Sequence, residues 1–217
     1  VTNDDNLALR CQMIRNHGEN LIETLKVEDS SNVMGSNYRL TEIQAAIGSV
    51  QMDRLDGFLE HRNELAAHMS AALADFECFT PPTIEPDCTH SFYCYAIKYD
   101  ARKTGVPRAT LCAAITAEMP DPTHSEQEVI GEGYVKPLYL NPIYQRKTAF
   151  GKKGFPWTMN PGVEYSYAKG LCPVTERMYE EELIFFPIIR EAVSTDDLDD
   201  ILKGITKVMS NLESLRK

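Results

Sequence analysis

From Thr41 to about Phe76 apolar residues recur at helical spacing with no proline to interrupt them. They are Ile43, Ala46, Ile47 and Val50, then Leu55, Phe58 and Leu59, then Leu65, Ala66, Met69, Leu73 and Phe76. That recurrence predicts one amphipathic helix. Such a helix would run roughly 50 Å, longer than a small domain is wide. It is therefore expected to bridge two domains, its first half packed in one and its second in the other. The stripe drifts at Gly57, where a kink is expected. Pro81-Pro82 and Pro86 close the run.

The entrance to this helix carries the most chemistry. The stretch Gly35-Ser36-Asn37-Tyr38-Arg39-Leu40 leads into Thr41 and Gln44, a T-x-x-Q capping box. A turn fixed in this way, offering one amide and one guanidinium, is suited to gripping an anion. Two readings of the turn stay open on the residues alone. Asn37 and Arg39 could hold an anion, or Asn37 could make an Asx-turn while Arg39 pairs with a surface acid. Gly131-Glu132-Gly133 has too few glycines, and no preceding strand, to be a phosphate loop.

Charge narrows the partners. At 217 residues, with a net charge of −10 and a pI near 5.0, the chain makes a poor global partner for nucleic acid or an anionic membrane. Any anion must be held locally. No apolar run approaches the roughly 20 residues that span a bilayer, so a soluble chain is expected. Six cysteines are scattered without a C-x-x-C pair, which reads as reduced, buried structural thiols in a cytoplasmic protein. Cys88, His90 and Cys94 would share one face of a strand and invite zinc. A fourth ligand and metal-like spacing are missing, so no metal is expected.

The remaining elements follow from their punctuation. Val1-Thr2 reads as the tail of a strand, and Asn3-Asp4-Asp5 opens a helix that Gly18 stops. Residues 19–34 read as a loop with a short helical stretch around Leu21–Leu25. Ser91–Tyr99 is an aromatic-rich strand, and Pro107-Arg108 opens a helix with Leu111, Ile115 and Met119 on one face. Residues 120–170 are loop-rich, Val174–Leu183 a short helix and Leu183–Ile189 a buried strand. Ser194 and Asp197 cap a last helix striped by Leu198, Ile201, Leu202, Ile205, Val208, Met209 and Leu212. The alternation from residue 91 onward predicts a small α/β domain.

Several segments are recognisable together. VTNDDNLALR at the start, IRNHG at 14–18, GSNYRLTEIQAAIGSVQMDRLD at 35–56 and EHRNELA at 60–66 come in that order. HSFYCYAI at 90–97, PLYLNPIY at 137–144 and CPVTERM at 172–178 follow. The set resembles the sugar aminotransferases of the DegT/DnrJ/EryC1/StrS family. The resemblance implies an α/β protein, a fold-type-I transferase dependent on pyridoxal 5'-phosphate. Residues 1–60 would be the end of the large cofactor-binding domain and the start of the connecting helix, and residues 61–217 the small C-terminal domain. It further implies a cytoplasmic homodimer that moves an amino group from glutamate or glutamine onto a nucleotide-linked keto sugar. Such chemistry serves polysaccharide or related amino-sugar biosynthesis.

By the same resemblance, Asn37 reaches across the dimer to the cofactor phosphate of the neighbouring subunit, and Arg39 lines that cross-subunit site. Tyr139 stands where many relatives carry a histidine or another polar residue near the sugar. His90, like Tyr93, is placed in the small domain, as a substrate-side residue or a strand anchor. The family's Schiff-base lysine lies shortly upstream of the segment matched by Val1-Thr2-Asn3-Asp4, so no catalytic residue is assigned within the chain. The chain opens without methionine, as a piece of a longer polypeptide would, and by itself is expected not to catalyse aminotransfer. A histidine at the lysine position would instead imply a sugar dehydratase of the same fold. A stand-alone dimerisation module is the non-enzymatic alternative.

Overall fold

A computed structural model describes residues 1–18, 34–119 and 129–216. The chain divides into two units, Val1–Asp56 and Gly57–Lys217. The division falls inside the long helix that the periodicity predicts.

In the first unit, helix α1 runs Asp5–Arg15. Asp4 caps it by accepting from the Leu7 N–H at 3.0 Å. The helix ends before the expected Gly18. Asn16 is the cap, and both His17 and Gly18 take left-handed conformations, with φ of 65° and 82°. Val1-Thr2 pairs with no strand among the described residues, contrary to expectation. The short helical stretch expected at Leu21–Leu25 lies outside the described residues.

Helix α2 spans Glu42–Leu73 and passes Gly57 without interruption. Its entrance is the predicted capping box. The Thr41 N–H donates to Gln44 Oε1 at 3.0 Å, and the Gln44 N–H donates to Thr41 Oγ1 at 3.3 Å. Within the second unit, Leu65, Ala66, Met69 and Leu73 of this helix are buried in a core shared with α3 (Arg108–Glu118) and α4 (Thr195–Met209). Polar ties reinforce the packing. His61 Nε2 lies 2.9 Å from the Val193 carbonyl, Arg62 pairs with Glu191, and His68 pairs with Asp199.

Among the described residues the sheet of this unit has four strands in the order β1-β2-β4-β3, antiparallel throughout. They are β1 (Phe79–Thr80), β2 (Tyr95–Tyr99), β3 (Gly131–Glu132) and β4 (Leu183–Phe186). Tyr95, Ile97 and Tyr99 alternate into the core from β2, and Ile184 and Phe186 meet them from β4. Helix α4 covers this core with its predicted stripe, its entrance closed by a reciprocal Ser194–Asp197 box. Gly204 of α4 faces the end of α3, where a Cβ would meet the mobile tip of Met119 at 2.8 Å and Glu118 Cβ at 3.5 Å.

Several boundaries differ from the sequence expectation. The strand expected at Ser91 begins at Tyr95, because Phe92 turns the chain through a φ of 44°. Cys88, His90 and Cys94 therefore share no strand face, and no group of metal-binding side chains forms among the described residues. The strand expected through Ile189 ends at Phe186, ahead of Pro187, which has no N–H to offer a ladder. The expected short helix at Val174–Leu183 is present as an α-helix, Pro173–Arg177, that widens into a π-helix at Met178–Glu182. Of the six free cysteines only Cys78 and Cys112 are buried. Burial raises those two thiols to about 11 and about 12 respectively, which makes them unreactive. Among the described residues no helix is long and apolar enough to cross a membrane.

Candidate functional site

The predicted anion grip is built on the end of α1. Its carbonyls pair with the chain that leads into α2. The Ser36 N–H donates to the Ile14 carbonyl at 2.8 Å, and the Tyr38 N–H to the Arg15 carbonyl at 3.0 Å. The His17 N–H returns a bond to the Ser36 carbonyl at 3.3 Å, and Asn16 and Asn37 form an antiparallel bridge. Carbonyls that a helix terminus leaves over are thereby used. Gly35 makes the approach possible: a Cβ on it would stand 2.4 Å from Gly18 N and 2.6 Å from His17 C. Both are backbone atoms and cannot swing aside.

On this platform the two singled-out side chains meet. Arg39 Nε donates to Asn37 Oδ1 at 3.1 Å, and Arg39 Nη1 donates to Asn16 Oδ1 at 2.8 Å. The Arg39 N–H also reaches Asn37 Oδ1, at 3.4 Å. That last contact is the Asx-turn of the plainer sequence reading. Among the described residues, however, the guanidinium meets two amide oxygens rather than a surface acid. The consequence is an orientation. With Oδ1 of Asn37 occupied by Arg39, its Nδ2 is the end left to donate. Asn37, Tyr38 and Arg39 are all exposed. One face of the turn thus carries amide and guanidinium hydrogens and a full positive charge, a donor set that matches a phosphate or carboxylate. Asn16, the group that steadies Arg39, was missed by sequence reasoning. Its only signal was an asparagine at the helix C-cap.

The other two predicted residues belong to the second unit and make separate sets of bonds. His90 Nδ1 accepts from the Phe92 N–H at 2.8 Å, its ring lies 4.2 Å from that of Phe92, and its carbonyl accepts from Asn63 Nδ2. These bonds hold the turn that delivers β2 into the sheet. Tyr139 is half-buried and donates its hydroxyl to Glu176. Burial, and then the adjacent carboxylate, push the Tyr139 phenol up to about 12, so it is a donor at any ordinary pH. Exposed Tyr93 packs edge-on to Tyr134, whose ring meets Phe185.

Comparison with known proteins settles which family this architecture serves. The model of the DegT/DnrJ/EryC1/StrS aminotransferase family matches residues 1–206. The chain belongs to that family. It is 21% identical over 98% of its length to the spore coat polysaccharide biosynthesis protein SpsC of Bacillus subtilis, and covers 49% of that protein. It is 28% identical over its whole length to the L-glutamine:2-deoxy-scyllo-inosose aminotransferase of Streptoalloteichus tenebrarius, covering 50% of it. The PLP form of Spr1654, a sugar aminotransferase from Streptococcus pneumoniae by its description, superposes with a TM-score of 0.63 at 19% identity, over 97% of this chain and 45% of that one. The chain thus spans about half the length of the curated relatives it matches. Family membership and the solved neighbour together give the chain the α/β transferase fold that the motifs imply.

Proposed function

We propose that this chain forms part of a pyridoxal-phosphate-dependent aminotransferase that moves an amino group from glutamate or glutamine to a nucleotide-linked keto sugar. Its first unit supplies a phosphate clamp to the site of a partner subunit in a homodimer. The observation that carries this reading is the Arg39 bond to Asn37 Oδ1, which leaves Nδ2 as the donating end of an exposed amide beside a guanidinium. Those donors, on a turn whose backbone Gly35 holds close to α1, fit a dianionic phosphate. Bound pyridoxal phosphate would supply the carbonyl that carries the amino group between donor and acceptor. The residues here bind and orient: Asn37 donates through Nδ2, and Arg39 adds charge and fixes Asn37. Exposed Ile43, Ile47 and Val50, on the helix that follows, support a partner surface nearby in sequence. The glutamine-dependent aminotransferase and the PLP-form relative support the donor and the cofactor. Tyr139 and His90 are proposed to border the sugar from the small domain.

The test is cofactor affinity in the full-length protein. Replacing Asn37 by Ala should weaken pyridoxal phosphate binding about 10- to 100-fold, the usual worth of a hydrogen bond to a charged group. Arg39→Ala should weaken it at least as much, since it also frees the Asn37 amide to rotate. Unchanged dissociation constants in both variants, measured by absorbance titration, would exclude the clamp.

A further inference from the structure

Between Tyr139 and Gly170 the chain makes an excursion within the second unit, and both ends of it meet on one atom. Glu176, in the short helix Pro173–Arg177, is only 7% exposed although it carries a charge. Its Oε1 accepts from the Tyr139 hydroxyl and from the Gly170 N–H, the latter at 2.6 Å. Gly170 has a φ of +97°, a conformation that a side chain would strain. A second tie lies just inside the neck. Gln145 Nε2 donates to the Tyr139 carbonyl at 2.8 Å and to the Tyr167 carbonyl at 2.7 Å. Beyond it the excursion packs on itself: Tyr144, Trp157 and Tyr167 meet edge-on, and Trp157 Nε1 donates to Tyr167 Oη at 2.8 Å. The excursion therefore has its own aromatic centre, its ends are joined to each other by Gln145, and they are tied to the neighbouring helical segment at Glu176 Oε1 and by the Lys169–Glu180 ion pair.

We propose that Glu176 is a positioning residue, pinning both ends of the 139–170 excursion and so fixing the face it presents to the sugar. The pin stands on the geometry alone, while its bearing on the sugar rests on the function proposed above. A buried carboxylate whose removal strands two donors is a strong local constraint. Because both donors converge on Oε1, glutamine keeps the atom that matters and alanine removes it.

Hydrogen exchange resolved to single amides in the full-length protein tests this directly. In Glu176→Ala the Gly170 N–H and the amides of 140–168 should lose protection, while those of β2 and α4 keep theirs. Glu176→Gln should restore protection at Gly170, and Tyr139→Phe should leave it largely intact. Turnover measurements should show KM for the keto sugar raised about tenfold in Glu176→Ala with kcat little changed, and recovered in Glu176→Gln. Unchanged protection at Gly170 in the alanine variant would overturn the pin. Lost protection with KM and kcat both unaltered would overturn the positioning role and leave the aminotransferase reading standing. No aminotransfer by the parent protein, with the exchange pattern as expected, would sink that reading and spare the pin.

Discussion

Helix α2 holds two halves that look alike in sequence and differ in environment. Ile43, Ile47 and Val50 in the first half are 75%, 60% and 58% exposed, whereas Leu65, Met69 and Leu73 in the second are fully enclosed. The same apolar recurrence runs through both. Periodicity thus tells which face seeks cover, but what covers it depends on residues distant in sequence or on another chain. The second half finds α3, α4 and the sheet. The first half keeps its apolar face open, next to the turn that presents Asn37 and Arg39.

The sharpest way to break this comparison is to truncate one residue in each half. Leu65→Ala opens a cavity in a closed core and should cost about 2–5 kcal/mol. Ile47→Ala in the same chain should change stability by no more than about 0.5 kcal/mol, as an exposed position does. Urea denaturation of both variants checks this. Repeating Ile47→Ala in the full-length protein extends the comparison. A cost approaching that of Leu65→Ala there means a partner surface covers the first half. Equal small effects in both settings would deny it one.

The next largest effect is expected at Gly35. An alanine there meets backbone of His17 and Gly18 rather than a movable side chain, so the turn must retreat from α1 at a cost of about 1–3 kcal/mol. The Ser36 and Tyr38 amides should lose their exchange protection, and cofactor affinity should fall with them. An intact pair of bonds to Ile14 and Arg15, read by exchange, would show that the close approach is dispensable.

Legibility follows the same division between local and distant causes. Helices α2 and α4 were readable because their signals, stripe and capping box, lie within a few residues of one another. Strands β1 and β3 were not. Each is two residues long, and β3 exists because Gly131 lets the ring of Phe185 lie across it, 54 positions away along the chain. The sequence of the turn at 35–39 was informative for the same reason as the helices, down to the Asx contact. The partner that orients Arg39, Asn16, arrives from 23 residues upstream. Glu176 was passed over for the opposite reason. Nothing in CPVTERM distinguishes a buried carboxylate from a solvated one until Tyr139 and Gly170 are brought to it.

The two capping boxes supply the finest comparison, since one can titrate and the other cannot. At α4 the Asp197 carboxylate accepts from the Ser194 N–H at 2.8 Å and from its hydroxyl at 2.6 Å. The Ser194 hydroxyl, and then its backbone N–H, hold Asp197 below the ordinary value of 3.8. A carboxyl lowered by folding lends stability that is complete above its unfolded value and disappears as pH falls through its folded one. At α2 the corresponding acceptor is the neutral Gln44 amide, which has nothing to lose. Acidification through and below pH 3.8 should therefore reduce the protection factor of the Ser194 N–H relative to that of Thr41. Asp197→Asn should flatten the difference by making both boxes neutral. A parallel decline of both amides in the parent protein would mean that acid loosens the helices from elsewhere, and that the carboxylate at the α4 entrance is not what gives it way.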